Sequence, residues 1–327
     1  MTNKRVVSGM RPTGKLHLGH YHGVLANWLE LQNGYECFFF AADWHSLTTE
    51  YANTAEIRDN TRDMVLDWLA FGIDPDRSTI FQQSLVHQHA ELNLILSMIT
   101  PVSWLERNPT YKEMQENLTA RDLSTFGFLG YPVLMASDII VYKAARVPVG
   151  HDQLPHLEIT REIARRFNHL YGAVFPEPDA LLTETPKLLG LDGRKMSKSY
   201  GNAIFLSESA DETRKKVLSM VTDVERPRRT DPGEPDRCVA FTLHMLYTPE
   251  TERAEIVEAC RNARIGCVDC KKKLAQHVTD TLAPFREKRG ELVARPGLVE
   301  DVLAAGSERA AAEAGLTMEE VRQAIKM

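Results

Sequence analysis

The stretch Arg5-Val6-Val7-Ser8-Gly9-Met10-Arg11-Pro12-Thr13-Gly14 leads from a short apolar run into a turn rich in glycine and proline. His17-Leu18-Gly19-His20 follows, and apolar residues then recur at helical spacing over residues 18–32. We therefore predict a strand at 5–8, a turn, and a helix at 18–32. Because the N-terminus of a helix exposes unpaired N–H groups and the positive end of its dipole, this turn is suited to bind phosphate.

Short apolar runs and helical patterns alternate through the rest of the first half. The run 36–42 is continuously apolar after Glu36, as expected of a strand that is buried on both faces. Further strands are predicted at 78–81 and 147–150, and helices at 55–71, 90–99 and 153–168. This alternation predicts an α/β fold whose parallel sheet binds ligands at its carboxyl edge.

The pattern changes after about residue 205. No convincing strand run follows, and amphipathic helices are predicted at 210–221, 238–246, 251–260 and 270–289, with a helical tail from 298. We therefore divide the chain into an α/β domain at 1–204, an all-helical domain at 205–297 and a C-terminal helical segment at 298–327 that packs back on the body.

The composition excludes several classes of protein. The chain has 327 residues, with 39 Lys and Arg against 45 Asp and Glu, and a net charge of −6. Proteins that coat nucleic acid through bulk charge are usually basic, so a nucleic-acid partner would need a local basic patch. The odd count of 5 cysteines argues against a secreted disulfide scaffold. No stretch has the pattern of a signal peptide or a membrane span, so we expect a cytoplasmic protein with no membrane partner.

The second motif is Lys195-Met196-Ser197-Lys198-Ser199. It follows a turn at 190–194 that contains Gly and Asp, which places it on a loop. Two lysines that bracket hydroxyls can neutralise a leaving pyrophosphate, whose charge lies on oxygens. A given pentapeptide occurs by chance in about one in ten thousand chains of this length, so a solvated lysine loop is a weak alternative.

Together with the HxGH turn, this KMSKS motif resembles the signature pair of class I aminoacyl-tRNA synthetases. The stretches Ser8–Gly14, Pro132–Ile139, Val147–Gln153 and His156–Ala164 resemble tryptophanyl-tRNA synthetases, so the resemblance covers most of the chain. It implies a Rossmann-type catalytic domain, a smaller helical domain that reads the anticodon, and a homodimer. The chain departs from the common pattern at Arg11, where Gln is frequent, and at His151, where an acidic residue is frequent.

The implied reaction begins with attack of a tryptophan carboxylate oxygen on the α-phosphate of ATP, which enters with Mg²⁺, and ends with transfer to tRNA(Trp). No protein nucleophile is required, so positioning and charge stabilisation supply the catalysis. The predicted catalytic residues are His17, His20, Lys195 and Lys198. The predicted ATP-binding residues are Arg11, Pro12, Thr13, Gly19, His20, Gly150, His151, Asp152, Leu188, Lys195, Met196, Ser197, Lys198 and Ser199, and Lys112 is a further candidate.

An indole ring needs an apolar slot with one acceptor for its N–H. By resemblance, Asp138 is that acceptor, and the rest of the predicted tryptophan site comprises Met135, Tyr131, His45, Val147, Val149 and Gln153. Asp138 also stands out on physical grounds, because it interrupts the apolar stretch 134–141, where an unpaired carboxylate is costly. The alternative interpretation is a structural aspartate that caps a helix or pairs with arginine.

Four cysteines, Cys238, Cys260, Cys267 and Cys270, form the pattern C-x21-C-x6-C-x2-C. Four thiolates suit a [4Fe–4S] cluster or tetrahedral zinc, and free structural cysteines are the third interpretation. Some bacterial tryptophanyl-tRNA synthetases carry a cluster on nearly this pattern, so the resemblance favours the cluster. Cys37, within the predicted strand 36–42, is interpreted as a small core residue.

The helical domain contains a local excess of basic charge. Residues 253–289 include 9 basic and 5 acidic side chains, which is the kind of patch that tRNA would require. The predicted tRNA contacts are Arg261, Arg264, Lys271, Lys272 and Lys273. An ordinary solvated helix face is the alternative, and no DNA partner is expected.

Three other functions fit parts of the sequence. A tyrosyl-tRNA synthetase shares the fold and also uses Asp and Tyr in its amino-acid pocket, although the context of Met135 and Asp138 favours indole. A catalytically idle RNA-binding paralogue would not need both signature motifs. A nucleotidyltransferase that uses HxGH alone would not need a basic helical domain.

Overall fold

The computed structural model describes residues 4–108, 124–182 and 188–327, without the side chain of Asp152; Lys112 lies outside the described residues. Two compact units are present. The first is formed by Met1–Gly14, Asn27–Glu184 and Pro296–Met327, and the second by Lys15–Ala26 and Thr185–Arg295. Residues 15–26 and 188–204, which we assigned to the α/β domain, thus belong to the same compact unit as the helical residues.

The strands are β1 (Arg5–Met10), β2 (Glu36–Ala41), β3 (Ser78–Gln82), β4 (Arg146–Val149) and β5 (Asp179–Leu182). Among the described residues they form one sheet in the order β3-β2-β1-β4-β5, with every pairing parallel. Val6 of β1 pairs with Cys37 on one side and with Arg146 on the other. The strand order changes direction at β1, so the carboxyl ends of β1 and β4 flank the crevice where such sheets bind ligands. The predicted parallel α/β fold is confirmed.

The described α-helices are, in chain order, α1 (Leu18–His20), α2 (Ala26–Leu31), α3 (Asp43–Glu50), α4 (Ile57–Phe71), α5 (Gln88–Ser97), α6 (Val102–Glu106), α7 (Phe126–Leu129), α8 (Tyr131–Ile140), α9 (Leu154–Tyr171), α10 (Ala210–Ser219), α11 (Val239–Tyr247), α12 (Glu250–Arg261), α13 (Cys267–Val293) and α14 (Leu298–Ile325). No described helix combines the length and the apolar character that a membrane span requires.

Strand β2 supplies the centre of the core in the first unit. Its side chains alternate between the two faces of the sheet. On one face Phe38 stacks on Tyr142 with ring centroids 4.7 Å apart, and on the other Phe39 stacks on Trp28 at 4.2 Å. All four rings are buried. The prediction that this strand is buried on both faces is therefore correct, and Cys37 is a buried core residue as interpreted.

Helix α14 covers the edge of the sheet at β3. Gly306 lies so close to this strand that a Cβ atom there would be 1.7 Å from the carbonyl oxygen of Ile80. The neighbouring Ser307 hydroxyl accepts a hydrogen bond from the N–H of Gln82 at 3.3 Å. Helix α14 thus satisfies an edge donor that would otherwise be available to another chain.

The second unit is helical apart from loops and isolated bridges in its described part. The predicted single helix at 18–32 is wrong in detail, because a π-helical segment, Tyr21–Leu25, separates α1 from α2. Within the unit, Nε2 of His22 in this segment lies 2.8 Å from the hydroxyl of Tyr247 at the end of α11. Insertions of π-helical turns are uncommon and occur often at functional sites.

Candidate active site

The HxGH turn is a helix cap made by two histidines. The Nδ1 atom of His17 accepts a hydrogen bond from the N–H of Gly19 at 3.1 Å, and Nδ1 of His20 accepts one from the N–H of His17 at 3.1 Å. The two rings pack with centroids 3.9 Å apart. Both side chains therefore satisfy backbone donors that the start of a helix leaves unpaired.

These hydrogen bonds fix the tautomer of both imidazoles. A ring nitrogen that accepts a hydrogen bond carries no proton, so in the neutral ring the proton lies on Nε2. Burial, with the charges of Lys198 and Lys195 in addition, lowers the pKa of His17 to about 4. Burial is also the main reason that the pKa of His20 lies well below its usual range. Near neutral pH the turn therefore presents two neutral Nε2–H donors.

Gly19 is required by close packing within the turn. A Cβ atom at this position would lie 2.9 Å from Cε1 and 3.0 Å from Nδ1 of His17. Any larger residue would displace the ring whose Nδ1 caps the helix.

The KMSKS motif lies on a loop held by Asn202. This buried side chain accepts from the N–H of Ser197 at 2.8 Å and donates to the carboxylate of Asp192 at 2.7 Å and to the carbonyl of Lys195 at 3.2 Å. A Cβ atom on Gly190 would collide with it at 2.3 Å. The loop conformation therefore depends on an asparagine that follows the motif.

Within this loop the motif residues differ in exposure. Met196 is buried, and its N–H donates to the carbonyl of Leu188 at 2.9 Å. Lys195 is exposed and Lys198 is half-buried, and the Ser197 and Ser199 hydroxyls are 2.9 Å apart. Because both lysines act electrostatically on His17, the two signature motifs are neighbours in the second unit.

In the first unit, the predicted nucleotide contacts follow two adjacent strands. Arg11, Pro12 and Thr13 follow β1, and Gly150 and His151 follow β4, which pairs with β1. His151 is exposed at the start of a 3-10 turn. The side chain of Asp152 lies outside the described part of the chain, so its predicted role stays a prediction.

Asp138 on α8 is buried at 2% exposure and receives three hydrogen bonds. Its Oδ1 accepts from Nε2 of Gln83 at 2.8 Å and from Nδ1 of His89 at 2.6 Å, and its Oδ2 accepts from Nε2 of His45 at 2.7 Å. Burial alone would raise the pKa of this carboxyl, but His45 and His89 lower it below its usual value. Asp138 is therefore ionised near neutral pH, and its partners differ from the helix cap or arginine of the alternative interpretation.

A carboxylate offers about four acceptor positions, two on each oxygen. Oδ1 of Asp138 already has two described donors, whereas Oδ2 has one. One acceptor position on Oδ2 is therefore left for a ligand donor.

The structure brings Tyr131 close to His45, with ring centroids 6.0 Å apart at 81°. The Tyr131 hydroxyl also hydrogen bonds to Nε2 of His156, whose Nδ1 lies 2.8 Å from the side-chain amide of Asn108. Met135 lies on α8 with Asp138, Val147 and Val149 are buried on β4, and Gln153 immediately precedes α9. The predicted tryptophan-site residues thus lie on α3, α8, β4 and the start of α9, all in the first unit.

Sequence reasoning missed the partners that hold these residues. Gln83, His89 and Tyr142 form one fully buried group with Asp138, and Asn202 holds the KMSKS loop. The signal that could have found them is the residue type: His89 and Gln83 are polar residues in apolar surroundings. A fully buried polar side chain needs a hydrogen-bond partner.

The predicted metal site is not supported by the described residues, none of which group three or more His, Cys, Asp or Glu side chains so as to hold one metal ion. The four cysteines are free and half-buried. Nη1 of the buried Arg226 lies 3.7 Å from Sγ of Cys260 and 3.9 Å from Sγ of Cys267, and Sγ of Cys270 lies 3.2 Å from Nε2 of His244. Three of the four thiols thus contact an arginine or a histidine.

The predicted tRNA contacts all have partners within the second unit. Arg261 pairs with Glu234, Arg264 with Glu258, Lys272 with Asp269 and Lys273 with Glu252, while Lys271 donates to the carbonyls of Leu218 and Met220. Exposed ion pairs contribute only about 0–1 kcal/mol, so a phosphate can replace such partners at little cost.

A family model described as "tRNA synthetases class I (W and Y)" matches residues 2–283. A tryptophan–tRNA ligase of Thermotoga maritima is 54% identical over 325 residues, which cover 99% of each chain. A tryptophan–tRNA ligase of Aquifex aeolicus is 49% identical over 393 aligned residues, which cover 99% of this chain and 100% of the relative.

A solved structure gives the same result for the fold. The tryptophanyl-tRNA synthetase of Campylobacter jejuni, described as complexed with ADP and tryptophan, superimposes with a TM-score of 0.90 at 32% identity. The match covers 99% of this chain and 100% of the other.

Proposed function

Since the chain belongs to the class I tRNA synthetases of the tryptophan and tyrosine family, we propose that it is a tryptophan–tRNA ligase. It activates L-tryptophan with ATP to tryptophanyl-adenylate, releases pyrophosphate, and transfers the aminoacyl group to tRNA(Trp). ATP enters as its Mg²⁺ complex. The single observation that carries this proposal is that both lysines of the KMSKS loop act electrostatically on His17 of the HxGH turn.

The geometry of these motifs suits a reaction that transfers no proton to the protein. The neutral Nε2–H groups of His17 and His20 donate hydrogen bonds to oxygens on which charge accumulates as the carboxylate attacks the α-phosphate. The ammonium groups of Lys195 and Lys198 neutralise the leaving pyrophosphate. Arg11, Thr13, Gly150 and His151 are proposed to hold ATP at the ends of β1 and β4.

Asp138 supports tryptophan as the amino acid. Its remaining acceptor position on Oδ2 matches the single N–H donor of an indole, and its ionised state makes the resulting hydrogen bond charge-assisted. Met135, Val147 and Val149 are proposed to line the apolar slot, with Tyr131, His45 and Gln153 completing it.

Amino-acid-dependent ATP–pyrophosphate exchange tests this function with a panel of amino acids. We expect exchange with tryptophan alone. Exchange that is specific for tyrosine would show a tyrosyl-tRNA synthetase, and the absence of exchange with any amino acid would favour the non-catalytic paralogue or the nucleotidyltransferase.

The exposed basic side chains of the helical unit are proposed to contact the anticodon region of tRNA(Trp). These side chains pair with acidic groups, but exposed ion pairs are weak, so tRNA phosphates can displace the acidic partners. We also propose that the protein works as a homodimer in the cytoplasm, which sedimentation at micromolar concentration and cell fractionation test.

The four cysteines are proposed to bind a [4Fe–4S] cluster after their side chains rotate from the described positions, and zinc is the alternative. Support comes from the donor set: each thiol of Cys238, Cys260 and Cys267 acts electrostatically on that of Cys270, so all four share one neighbourhood. Burial raises the pKa of the Cys260 thiol, and the positive charge of Arg226 opposes this shift, toward the thiolate form that such a cluster needs. A cluster here would hold helices in place and would take no part in the reaction.

Iron, sulfide and zinc analysis after anaerobic purification tests this site. We expect about four iron and four sulfide per chain, lost together in a Cys260→Ser variant. One zinc per chain would show that the four cysteines form a tetrahedral zinc site instead of a cluster. A protein without either would identify the cysteines as structural.

A further inference from the structure

Behind Asp138 lies a second buried hydrogen-bonding group. The two rings of this group are His89 and Tyr142, and both side chains are fully buried. Nδ1 of His89 lies 2.6 Å from Oδ1 of Asp138, and Nε2 of His89 lies 2.6 Å from the hydroxyl of Tyr142. The three residues come from α5, α8 and the turn that follows α8.

The hydrogen bonds of this group run in one direction. An ionised carboxylate can only accept, so Nδ1 of His89 is the donor to Asp138. The Tyr142 hydroxyl keeps its proton, because burial and Asp138 raise its pKa well above the usual value, and it is placed to donate to Nε2 of His89. Phe38 and Phe81 pack on the Tyr142 ring and hold it in place, with centroids 4.7 and 5.6 Å away.

Gln83 completes the arrangement from the other side. Its Oε1 accepts from the N–H of His45 at 3.4 Å, which leaves its Nε2 to donate to Oδ1 of Asp138. Oδ1 is thereby occupied by His89 and Gln83, and the carboxylate cannot rotate without breaking both bonds. Only Oδ2, which accepts from His45, keeps an acceptor position among the described contacts.

We propose that Tyr142 and His89 are positioning residues which saturate Oδ1 of Asp138 and so direct the N–H of the bound amino acid to Oδ2. The inference rests on the proposed function, because it assigns a selectivity device to the same tryptophan site. Its consequence is discrimination by the N–H group itself, in addition to the shape of the apolar slot. A site whose polar group must be paired rejects a ligand that lacks the matching donor.

The test compares tryptophan with 3-(3-benzothienyl)alanine, an isostere in which sulfur replaces the N–H. In the His89→Leu variant we expect the KM for tryptophan in ATP–pyrophosphate exchange to rise about tenfold, the value for loss of one well-placed hydrogen bond. The KM values for the isostere and for ATP should change less than twofold. In the same His89→Leu variant, the carboxyl of Asp138 loses one of the two partners that lower its pKa, so it takes up a proton more readily as the pH falls. The KM of this variant for tryptophan should therefore also increase as the pH falls from 8 to 5.5.

Two further variants separate positioning from folding. His89→Asn keeps a donor where Nδ1 lies and should restore most of the preference for tryptophan over the isostere. Tyr142→Phe keeps the stacked ring and should reduce that preference about threefold, so it decides the question if His89→Leu does not fold. Thr61→Val is the matched control, since it removes a buried hydroxyl on α4 that donates to the carbonyl of Ile57 and should leave both KM values unchanged.

The outcomes distinguish failure of the proposed function from failure of the positioning role. Wild-type protein with no tryptophan-dependent exchange would overturn the proposed function and this inference with it. Wild-type protein that is active on tryptophan, but whose variants lose tryptophan and the isostere equally, would overturn the positioning role alone.

Discussion

His17 performs two tasks with one imidazole: Nδ1 caps a helix and Nε2–H is left to bind phosphate oxygen. Asparagine is a good N-cap but lacks the distal donor. We expect His17→Asn to leave the midpoint of thermal unfolding nearly unchanged and to slow ATP–pyrophosphate exchange about 100-fold, the usual effect of losing one transition-state donor.

His17→Ala serves as the comparison, because it removes both the cap and the donor. It should slow exchange to the same extent and also lower the unfolding midpoint. Equal exchange rates for His17→Asn and the wild-type protein would show that the Nε2–H group has no catalytic role.

The lowered pKa of His17 predicts a dependence of stability on pH. The folded protein holds this imidazole neutral down to a pKa of about 4, whereas the unfolded chain takes up its proton near pH 6.5. Between these values the unfolded state binds more protons, so stability rises with pH. The contribution is complete above pH 6.5 and is lost as the pH falls toward 4.

Thermal unfolding measured from pH 4 to 7 checks this prediction. The midpoint should fall with pH in the wild-type protein and less steeply in His17→Asn. The pKa of His244 is also lowered to about 4, mainly by burial. This residue adds the same dependence of the unfolding midpoint on pH to both proteins. Identical pH slopes in the two proteins would contradict the assignment of the shift to His17.

Single residues of the candidate site could be predicted from the sequence, but the hydrogen bonds that join them to distant residues could not. His17, Lys198 and Asp138 were found because each lies in a short motif or interrupts an apolar run. His89 and Gln83 were missed because they meet Asp138 across 49 and 55 residues of chain, and hydrogen bonds at that separation leave no local pattern. The same holds for Arg226, which contacts Cys260 and Cys267 from a loop.

Among the elements, α14 depends most on one small residue. A methyl group at Gly306 would overlap the Ile80 carbonyl, so the helix would have to move away from β3. We expect Gly306→Ala to lower the free energy of unfolding by about 1–3 kcal/mol, or more, as overpacking does. Chemical denaturation measures this change.

Gly315 on the same helix is the matched control. A Cβ atom there would meet only the amide nitrogen of Gln88, at 4.0 Å. Gly315→Ala should therefore be neutral or stabilising by up to about 1 kcal/mol, since alanine favours the helix. Equal destabilisation by both variants would show that the close approach to β3 is not the cause.

Most elements could be predicted because their patterns are strong. The helices α3, α6, α7 and α8 were not predicted, and two further failures have physical reasons. Strand β5 (Asp179–Leu182) is short, lies at an edge of the sheet and has no fully buried residue, so neither a buried run nor an alternation marks it. The π-helical segment Tyr21–Leu25 leaves the apolar spacing close to that of an α-helix, and its hydrogen-bond shift is not visible in composition.

Because the whole molecule has a net charge of −6, we expect the proposed tRNA binding to use a small basic patch. The affinity for tRNA should then depend strongly on salt concentration. Lys272 is the clearest test, because its nearest acidic partner, Asp269, is 3.8 Å away and both side chains are exposed. We expect Lys272→Glu to raise the KM for tRNA in aminoacylation several-fold, to weaken the dependence of that KM on salt, and to leave ATP–pyrophosphate exchange unchanged.

Lys288→Glu provides the control on the same helix. Lys288 is exposed and pairs with Glu291 at 2.9 Å; it lies within residues 253–289 but is not one of the five predicted tRNA contacts. If both charge reversals weaken tRNA charging to the same extent, the effect is one of total charge and the proposed patch is wrong.

The covering of β3 by α14 also has a consequence for synthesis on the ribosome. Strand β3 ends at Gln82, and the helix that protects its edge begins at Leu298. At about 5–20 residues per second, the nascent chain carries an open parallel edge for roughly 10–40 s before its cover is made. Nascent and prematurely terminated chains therefore expose a template for strand addition, and aggregation in translation should concentrate in chains that stop short of α14.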